Sequence, residues 1–260
     1  MDLINDIQPE RIEKIIKIAN ENKFITVEHL CTLINASPST IRRDLRYLEE
    51  NGIIKRFHGG ASIQKHAYVP FNKREKLNTE EKDIIAREAV KLIKDNSTVI
   101  LDTGSTVLHV ALHLGNMSKE NLTIITPSIY IAQYLIDKTG FKIILSGGLF
   151  NRESNNLLGV LAIETFNKLK ADMVIMSCET ISSNMEIMYP ELEIIQVRKA
   201  VINSATYKVL VVDSSKFGRF SLSSLGEIDL FDMVITDCKI QDKYINKIKK
   251  RNLKLVIANN

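Results

Sequence analysis

From residue 98 to residue 257, short apolar runs alternate with stretches of helical periodicity, and this alternation limits the fold more than any other feature of the chain. The runs lie at 98–101, 122–125, 142–145, 173–176, 209–212, 233–235 and 253–257. Helical patterns fall between them at 107–114, 129–137, 160–169 and 192–205, and a helix carrying Ile84, Ile85, Ala89 and Leu92 precedes the first run. Such alternation predicts an α/β domain: a mostly parallel sheet covered by helices. At 260 residues the chain has room for one large domain or two unequal ones.

The first 63 residues follow a different pattern. Ile12, Ile15, Ile16 and Ala19 recur at helical spacing. Thr26 suits the N-cap of a second helix through Leu30, Leu33 and Ile34. Asn35 to Pro38 read as a turn, with Ser37 as the N-cap of a third helix and Pro38 at its first position, where a missing N–H is harmless. That helix is expected to reach Glu50 and stop at Asn51-Gly52. An extended stretch at 53–57, a turn at His58-Gly59-Gly60 and a return strand at 61–63 then make a hairpin. Residues 64–77, polar and basic with Pro70, are expected to link this domain (1–63) to the α/β domain (78–260).

At about 100° per residue, the third helix puts Ile41, Leu45 and Leu48 on one stripe and Ser39, Arg42, Arg43 and Arg46 on the opposite one. The first stripe is built to pack on the preceding helices. The second presents a hydroxyl and three guanidiniums, which in the DNA major groove can bridge guanine O6 and N7 or hold phosphates. The hairpin that follows adds Lys55, Arg56 and His58. Together these are the parts of a winged helix-turn-helix. Asp44, lying among the arginines, is expected to orient one of them, since a carboxylate near phosphate is repelled.

In the second domain, small and hydroxyl residues collect at predicted strand ends. Asp102-Thr103-Gly104-Ser105-Thr106 precedes a helix start, where backbone N–H groups and the helix dipole favour an anion. Thr126 and Ser128, then Gly147 and Gly148, follow the next two strands, and Lys216 supplies a cation after the run at 209–212. Ligands of open parallel sheets bind at the carboxyl ends of strands, so these loops are expected to form a pocket for a phosphorylated sugar or polyol.

The segment from Ser37 through Leu45, Leu48-Glu49, and Arg56-Phe57-His58-Gly59-Gly60-Ala61 resembles the DeoR family of bacterial regulators, whose N-terminal signature is S-x-x-T-I-R-R-D-L followed by an R-x-H-G-G-A wing. The stretch 102–106, the I-T-x-S run at 125–128, Gly147-Gly148, Asp213-Ser214-Ser215-Lys216-Phe217 and the late Val234-Ile235-Thr236-Asp237 resemble the same family's sensor domain, so the similarity covers nearly the whole chain. The resemblance implies DNA contacts by Ser39, Thr40, Arg42, Arg43 and Arg46 with a wing of Lys55, Arg56 and His58. It implies a sensor domain with a ribose-5-phosphate-isomerase-like fold in which residues 103–106 correspond to a phosphate loop. It also implies repression of sugar-metabolism genes, relieved by a phosphorylated sugar or related metabolite. Three stretches depart from the pattern: Pro127 replaces the usual Asn, residues 176–181 replace a Gly-rich strand end, and Asn184-Met185-Glu186-Ile187 lacks the usual glycine.

Three further expectations come from bulk properties. A net charge of +4 is compatible with nucleic acid without requiring it. Cys31, Cys178 and Cys238 lie far apart with no CxxC pair, which predicts reduced, buried thiols rather than a zinc site or disulfides; no cofactor is called for. The absence of a signal-like start or an apolar run of about 20 residues points to the cytoplasm and no membrane. A single recognition helix reads few base pairs, so a homo-oligomer, dimer or tetramer, is expected on a double-stranded operator. Two other classes compete: a sugar-phosphate isomerase using Glu179, Asp102, Asp213 or Lys216, which needs a positioned base and a second acid or lysine, and a scaffold that binds protein through residues 1–63.

Overall fold

The structure, a computed structural model, describes residues 8–22, 24–50, 54–57, 59–63, 71–251 and 253–259. Its contacts divide the chain into two units: residues 1–68 with Phe220–Leu222, and residues 69–219 with 223–260.

The first unit contains α1 (Pro9–Glu21), β1 (Ile25–Thr26), α2 (Val27–Ile34), α3 (Pro38–Glu50), β2 (Ile54–Phe57) and β3 (Gly60–Ile63), with the strands in the order β1-β3-β2. Its local signals are those expected. Thr26 accepts from the His29 N–H at 3.2 Å to cap α2, and Ser37 accepts from the Thr40 N–H at 3.2 Å to cap α3. Asn35 ends α2 with a φ of 56°, a left-handed conformation that Asn tolerates. Asn51-Gly52, the expected stop of α3, lies outside the described residues. Ile12, Ile15, Leu30, Ile41, Leu48 and Ile54 are fully buried, each contributing roughly 1.5–3 kcal/mol. Gly60 is required by packing: a Cβ there would stand 2.4 Å from the Ile25 carbonyl oxygen, so only glycine lets β3 lie against β1.

The second unit begins with α4 (Phe71–Arg74) and α5 (Thr79–Val90), so residues 71–77, expected within a linker, are helix and turn whose first residue, Phe71, is buried. There follow β4 (Thr98–Leu101), α6 (Ser105–Leu114), β5 (Thr123–Thr126), α7 (Ile129–Lys138), β6 (Lys142–Leu145), β7 (Leu149–Asn151), β8 (Asn156–Leu158), α8 (Val160–Lys168) and β9 (Ala171–Met176). The chain continues through β10 (Thr180–Ile181), β11 (Glu186–Tyr189), α9 (Leu192–Asn203), β12 (Ala205–Val211), β13 (Ser223–Glu227), β14 (Met233–Asp237), α10 (Asp242–Lys249) and β15 (Lys254–Ala258).

The seven runs read as strands become one parallel seven-stranded sheet, ordered β15-β14-β12-β9-β4-β5-β6. Alternate side chains along each strand serve two cores. Ile100, Ile125, Val174, Met176, Leu210 and Val234 join one, and Val99, Leu101, Ile124, Ile175, Val209 and Ile235 join the other. That two-sided burial explains why the strands read as continuous apolar runs. The β7–β8 hairpin, the small antiparallel sheet β10-β11-β13 and α10 were not expected. Among the described residues no helix is long and apolar enough to cross a membrane. The cysteines are free, but only Cys178 is buried: Cys31 is partly exposed on α2 and Cys238 is exposed just beyond β14.

Candidate nucleic-acid interface and ligand site

In α3 the inward stripe is Ile41, Asp44, Leu45 and Leu48, each at most 1 % exposed. Asp44 is the exception in chemistry. Its carboxylate accepts from Arg11 of α1 twice, Nε to Oδ2 at 2.5 Å and Nη2 to Oδ1 at 3.1 Å. The expectation that Asp44 orients an arginine thus finds its partner in α1, 33 residues away, rather than in the neighbouring arginines of α3. A buried bidentate pair of this kind fixes the rotation of α3 against α1.

That rotation leaves Ser39, Arg42 and Arg46 exposed along α3. Thr40 is half-buried and joins a hydroxyl cluster in which Ser37 Oγ lies 2.8 Å from Ser39 Oγ and 2.9 Å from Thr40 Oγ1. Arg43 is half-buried, with its Nε enclosed by protein, which sets it apart from its two exposed neighbours. On the wing, Lys55 is exposed and its Nζ lies 5.7 Å from the Phe57 ring centroid. Arg56 faces inward to α3: its N–H donates to Glu49 Oε1 at 3.0 Å and its Nε to Oε2 at 2.6 Å. These bonds from Arg56 hold the Glu49 carboxyl below its usual range. His58 lies outside the described residues. A groove of about 590 Å³ runs between α2, α3 and the wing, with Arg42, Glu49, Arg56 and Phe57 among its walls.

In the second unit, β5 and β6 lie on one side of β4 while β9 and β12 lie on the other, so the chain reverses its direction of travel across the sheet between β4 and β9. Ligands of open α/β sheets bind at the carboxyl ends of strands beside such a reversal. Here the loop after β4 supplies Asp102 to Thr106, with Gly104 at φ +113° and its α-carbon facing Ser177 after β9. Asp102 and Thr103 are held from α9: Arg198 pairs with Asp102 Oδ1 and donates to Thr103 Oγ1 at 2.5 Å. The Arg198 guanidinium also lies 5.5 Å from the Tyr189 ring, whose hydroxyl donates to the Ser177 carbonyl at 2.8 Å. Asp102 Oδ2 and Thr180 Oγ1 are buried with no hydrogen-bond partner among the described residues.

Beside them stands a charged cluster. Glu179 accepts from Arg74 Nη1 at 2.9 Å and lies 3.9 Å from Lys216 Nζ. Lys82, 2 % exposed, donates to the carbonyls of Arg74 (2.5 Å) and Leu77, and the Asn78 side chain donates to Asp213 Oδ1 at 3.0 Å and Ser215 Oγ at 3.1 Å. Burial lowers the Lys82 ammonium to about 8, with Asp213 opposing the shift and Lys216 and Arg74 reinforcing it. Burial likewise pushes the Cys178 thiol up.

The predicted ligand residues therefore stand at four strand ends, those of β12, β4, β5 and β6, with β9 lying between β12 and β4. At about 4.8 Å per strand, Lys216 and Gly147 are separated by roughly 19 Å, wider than one sugar phosphate. The compact part is the β12-β9-β4 stretch. Thr126 and Ser128 are engaged locally: Thr126 Oγ1 accepts from the Ser128 N–H at 3.1 Å and Ser128 Oγ caps α7. Gly148 has φ +114° and backs onto the Leu158 carbonyl, where a Cβ would come within 2.4 Å. Arg74, Asn78, Lys82 and Arg198 were missed. For Arg198 a signal existed, since a lone cation sits among Ile194, Ile195, Val197 and Val201 on the buried side of a helix, where it requires a partner.

The model of the DeoR-like helix-turn-helix domain matches residues 11–67, and that of the DeoR C-terminal sensor domain matches residues 77–238. The HTH-type transcriptional regulator GolR of Listeria innocua is 35 % identical over 96 % of this chain and 98 % of its own length. The glycerol-3-phosphate regulon repressor of Escherichia coli is 33 % identical over 88 % of this chain and 91 % of its own, and the HTH-type transcriptional repressor GlcR of Bacillus subtilis is 33 % identical over 96 % of each. Among solved structures, ribose 5-phosphate isomerase A of Neisseria gonorrhoeae superposes with a TM-score of 0.39 at 16 % identity, covering 56 % of this chain and 55 % of that one. The chain belongs to the DeoR family of transcriptional regulators.

Proposed function

We propose that this protein is a cytoplasmic, sequence-specific DNA-binding repressor of sugar-metabolism genes, released from its operator by a phosphorylated sugar. The observation that carries this is the exposed face of α3, Ser39, Arg42 and Arg46, turned outward by the buried Arg11–Asp44 pair. Lys55 on the wing extends the cationic surface, and Thr40, Arg43, Arg56 and His58 complete the proposed contact set. The family supports the reading, as do relatives named for the glycerol-3-phosphate regulon and the lactose phosphotransferase system.

For the effector, the β12-β9-β4 strand ends offer matched chemistry: Arg74, Lys82 and Lys216 for a phosphate, Asp102 and Thr180 for hydroxyls. An incoming phosphate competes with Glu179 for Arg74 and Lys216. Thr103, Gly104, Ser105 and Thr106 frame the same space, with Thr126, Ser128, Gly147 and Gly148 at its far side. Couplings between such sites are typically about 1–3 kcal/mol. The protein acts as a homo-oligomer, dimer or tetramer.

The test is a gel shift on DNA from upstream of the protein's own gene. Affinity is expected to fall steeply as salt rises, because several phosphates are contacted. Salt-insensitive binding would support the scaffold class instead. A thermal-shift screen against sugar phosphates identifies the effector, since a ligand of the folded state raises its melting temperature. Aldose–ketose turnover of any hit at about 1 per second or more would place the protein among the isomerases.

A further inference from the structure

Exposed apolar side chains are unevenly spread over the second unit. Leu149 (79 % exposed), Val160 (69 %), Leu161 (64 %), Leu145 (42 %) and Phe150 (39 %) all fall between residues 145 and 161. They belong to one corner of the fold. Leu149 and Phe150 on β7 sit opposite Leu158 and Leu157 on β8. Gly148 abuts the Leu158 carbonyl and the Ala162 methyl, and Thr165 of α8 donates to the Ser146 carbonyl at 2.7 Å, so the hairpin, the first turn of α8 and the end of β6 are fastened together. β6 is also the last strand of the sheet, bonded only to β5, which leaves one backbone edge of Lys142–Leu145 open. On the opposite edge strand, β15, Leu255, Val256 and Ile257 are partly buried, as Ile143 and Ile144 are on β6; the difference is Leu145, exposed at the end of β6 beside the hairpin.

The five side chains expose on the order of 500 Å², against the roughly 800 Å² that each partner of a stable protein pair buries. An apolar patch of that size lies toward the upper end of what a monomer's surface carries, where such patches are often functional. The remainder of a standard interface would have to come from the hairpin backbone and the polar rim around these side chains. An open edge strand is complementary to an antiparallel copy of itself, and a patch beside it is then repeated by the same two-fold axis. A heterologous partner would have to supply both features separately.

We propose that this corner, the end of β6, the β7–β8 hairpin and the start of α8, is the two-fold interface through which a second copy of this chain binds. The proposal rests on the homo-oligomer in the function given above and adds the surface that makes it.

Sedimentation equilibrium of the full chain tests it. The unmodified protein is expected to dimerise in the micromolar range. Leu149→Lys and Leu161→Lys, which place a charge in the apolar centre, are each expected to weaken dimerisation roughly 30-fold or more. Met117→Lys, an exposed apolar residue outside the patch, is expected to leave it unchanged. Hydrogen exchange of the unmodified chain supplies a second arm that needs no variant: amides of residues 142–161 gain protection as concentration rises through the dimer range. A chain that stays monomeric overturns the oligomer itself. A dimer indifferent to both lysines, or without concentration-dependent protection at 142–161, overturns only the surface. The gel shift reports on DNA binding independently of either result.

Discussion

Arg11 with Asp44 in the first unit and Arg198 with Asp102 in the second are the same chemical pair, each with a fully buried carboxylate, yet they serve opposite ends. The first lies behind its working surface. It locks α3 to α1 with both carboxylate oxygens engaged, and the residues proposed to meet DNA project from the other side of the helix. The second lies within the proposed ligand site. Asp102 keeps one oxygen for Arg198 and leaves the other buried without a hydrogen-bond partner, and Arg198 also holds the loop threonine. One pair is closed and structural, the other open on one side. A binding surface read from outside needs only a rigid support, whereas a pocket that encloses a small polar ligand must keep buried polar groups in reserve.

The largest expected effects break this comparison directly. Removing one member of a buried pair strands the other, at a cost of about 3–5 kcal/mol. Asp44→Ala is expected to lose that much stability in the first unit, read as collapse of hydrogen-exchange protection in α1 and α3, and DNA binding with it, while the second unit keeps its protection and its ligand. Arg198→Met is expected to do the reverse. If either substitution unfolds both units equally, the two pairs are not separate supports.

Next in size is the outward face of α3. Arg42→Ala is expected to weaken operator binding by about 1–3 kcal/mol if the side chain reads a base, with the melting temperature unchanged because the residue is exposed. Arg43→Ala, half-buried in the same helix, is expected to lower the melting temperature as well. Equal melting temperatures for the two variants would erase the distinction.

The two units also differed in how far the sequence revealed them. Nearly all of the first was legible, because its signals are local: Ser37 and Thr26 cap the helices that follow them, and Ile41, Leu45 and Leu48 recur at helical spacing. In the second, the seven sheet strands were legible from their apolar runs. The sheet β10-β11-β13 was not, since its strands are as short as two residues and Tyr189 pairs with Ser223, 34 positions on. α10 is amphipathic but only eight residues long, so its apolar stripe of Tyr244, Ile245 and Ile248 spans barely two turns. At the sites, residue types were visible but partners were not. Arg56 looked like a DNA contact and is bound to Glu49, while Arg74 and Lys82 meet Glu179 and Asp213 only through the fold.

Glu49→Gln sharpens the wing. The Glu49–Arg56 pair is a surface ion pair, so its loss is expected to change stability by no more than about 1 kcal/mol. Removing a negative charge from the groove beside Arg42 and releasing Arg56 is expected to tighten DNA binding and steepen its salt dependence. A weaker complex would show instead that the wing's position matters more than its charge.

The smallest effect is a pH dependence confined to the second unit. The Lys82 ammonium has an ordinary value of 10.5 and is lowered to about 8 by burial. Between those values the unfolded chain holds a proton that the folded chain has released, so stability rises as pH increases through the window. Binding of a phosphate has the opposite sign, because it uses the charged form. The melting temperature of the free second unit is therefore expected to rise modestly from about pH 7.5 to about pH 9.5, while the shift given by a sugar phosphate shrinks over the same interval. Lys82→Met is expected to flatten both trends. If the variant retains the ligand's pH dependence, the proton belongs to another group, and the open half of the comparison loses its buried cation.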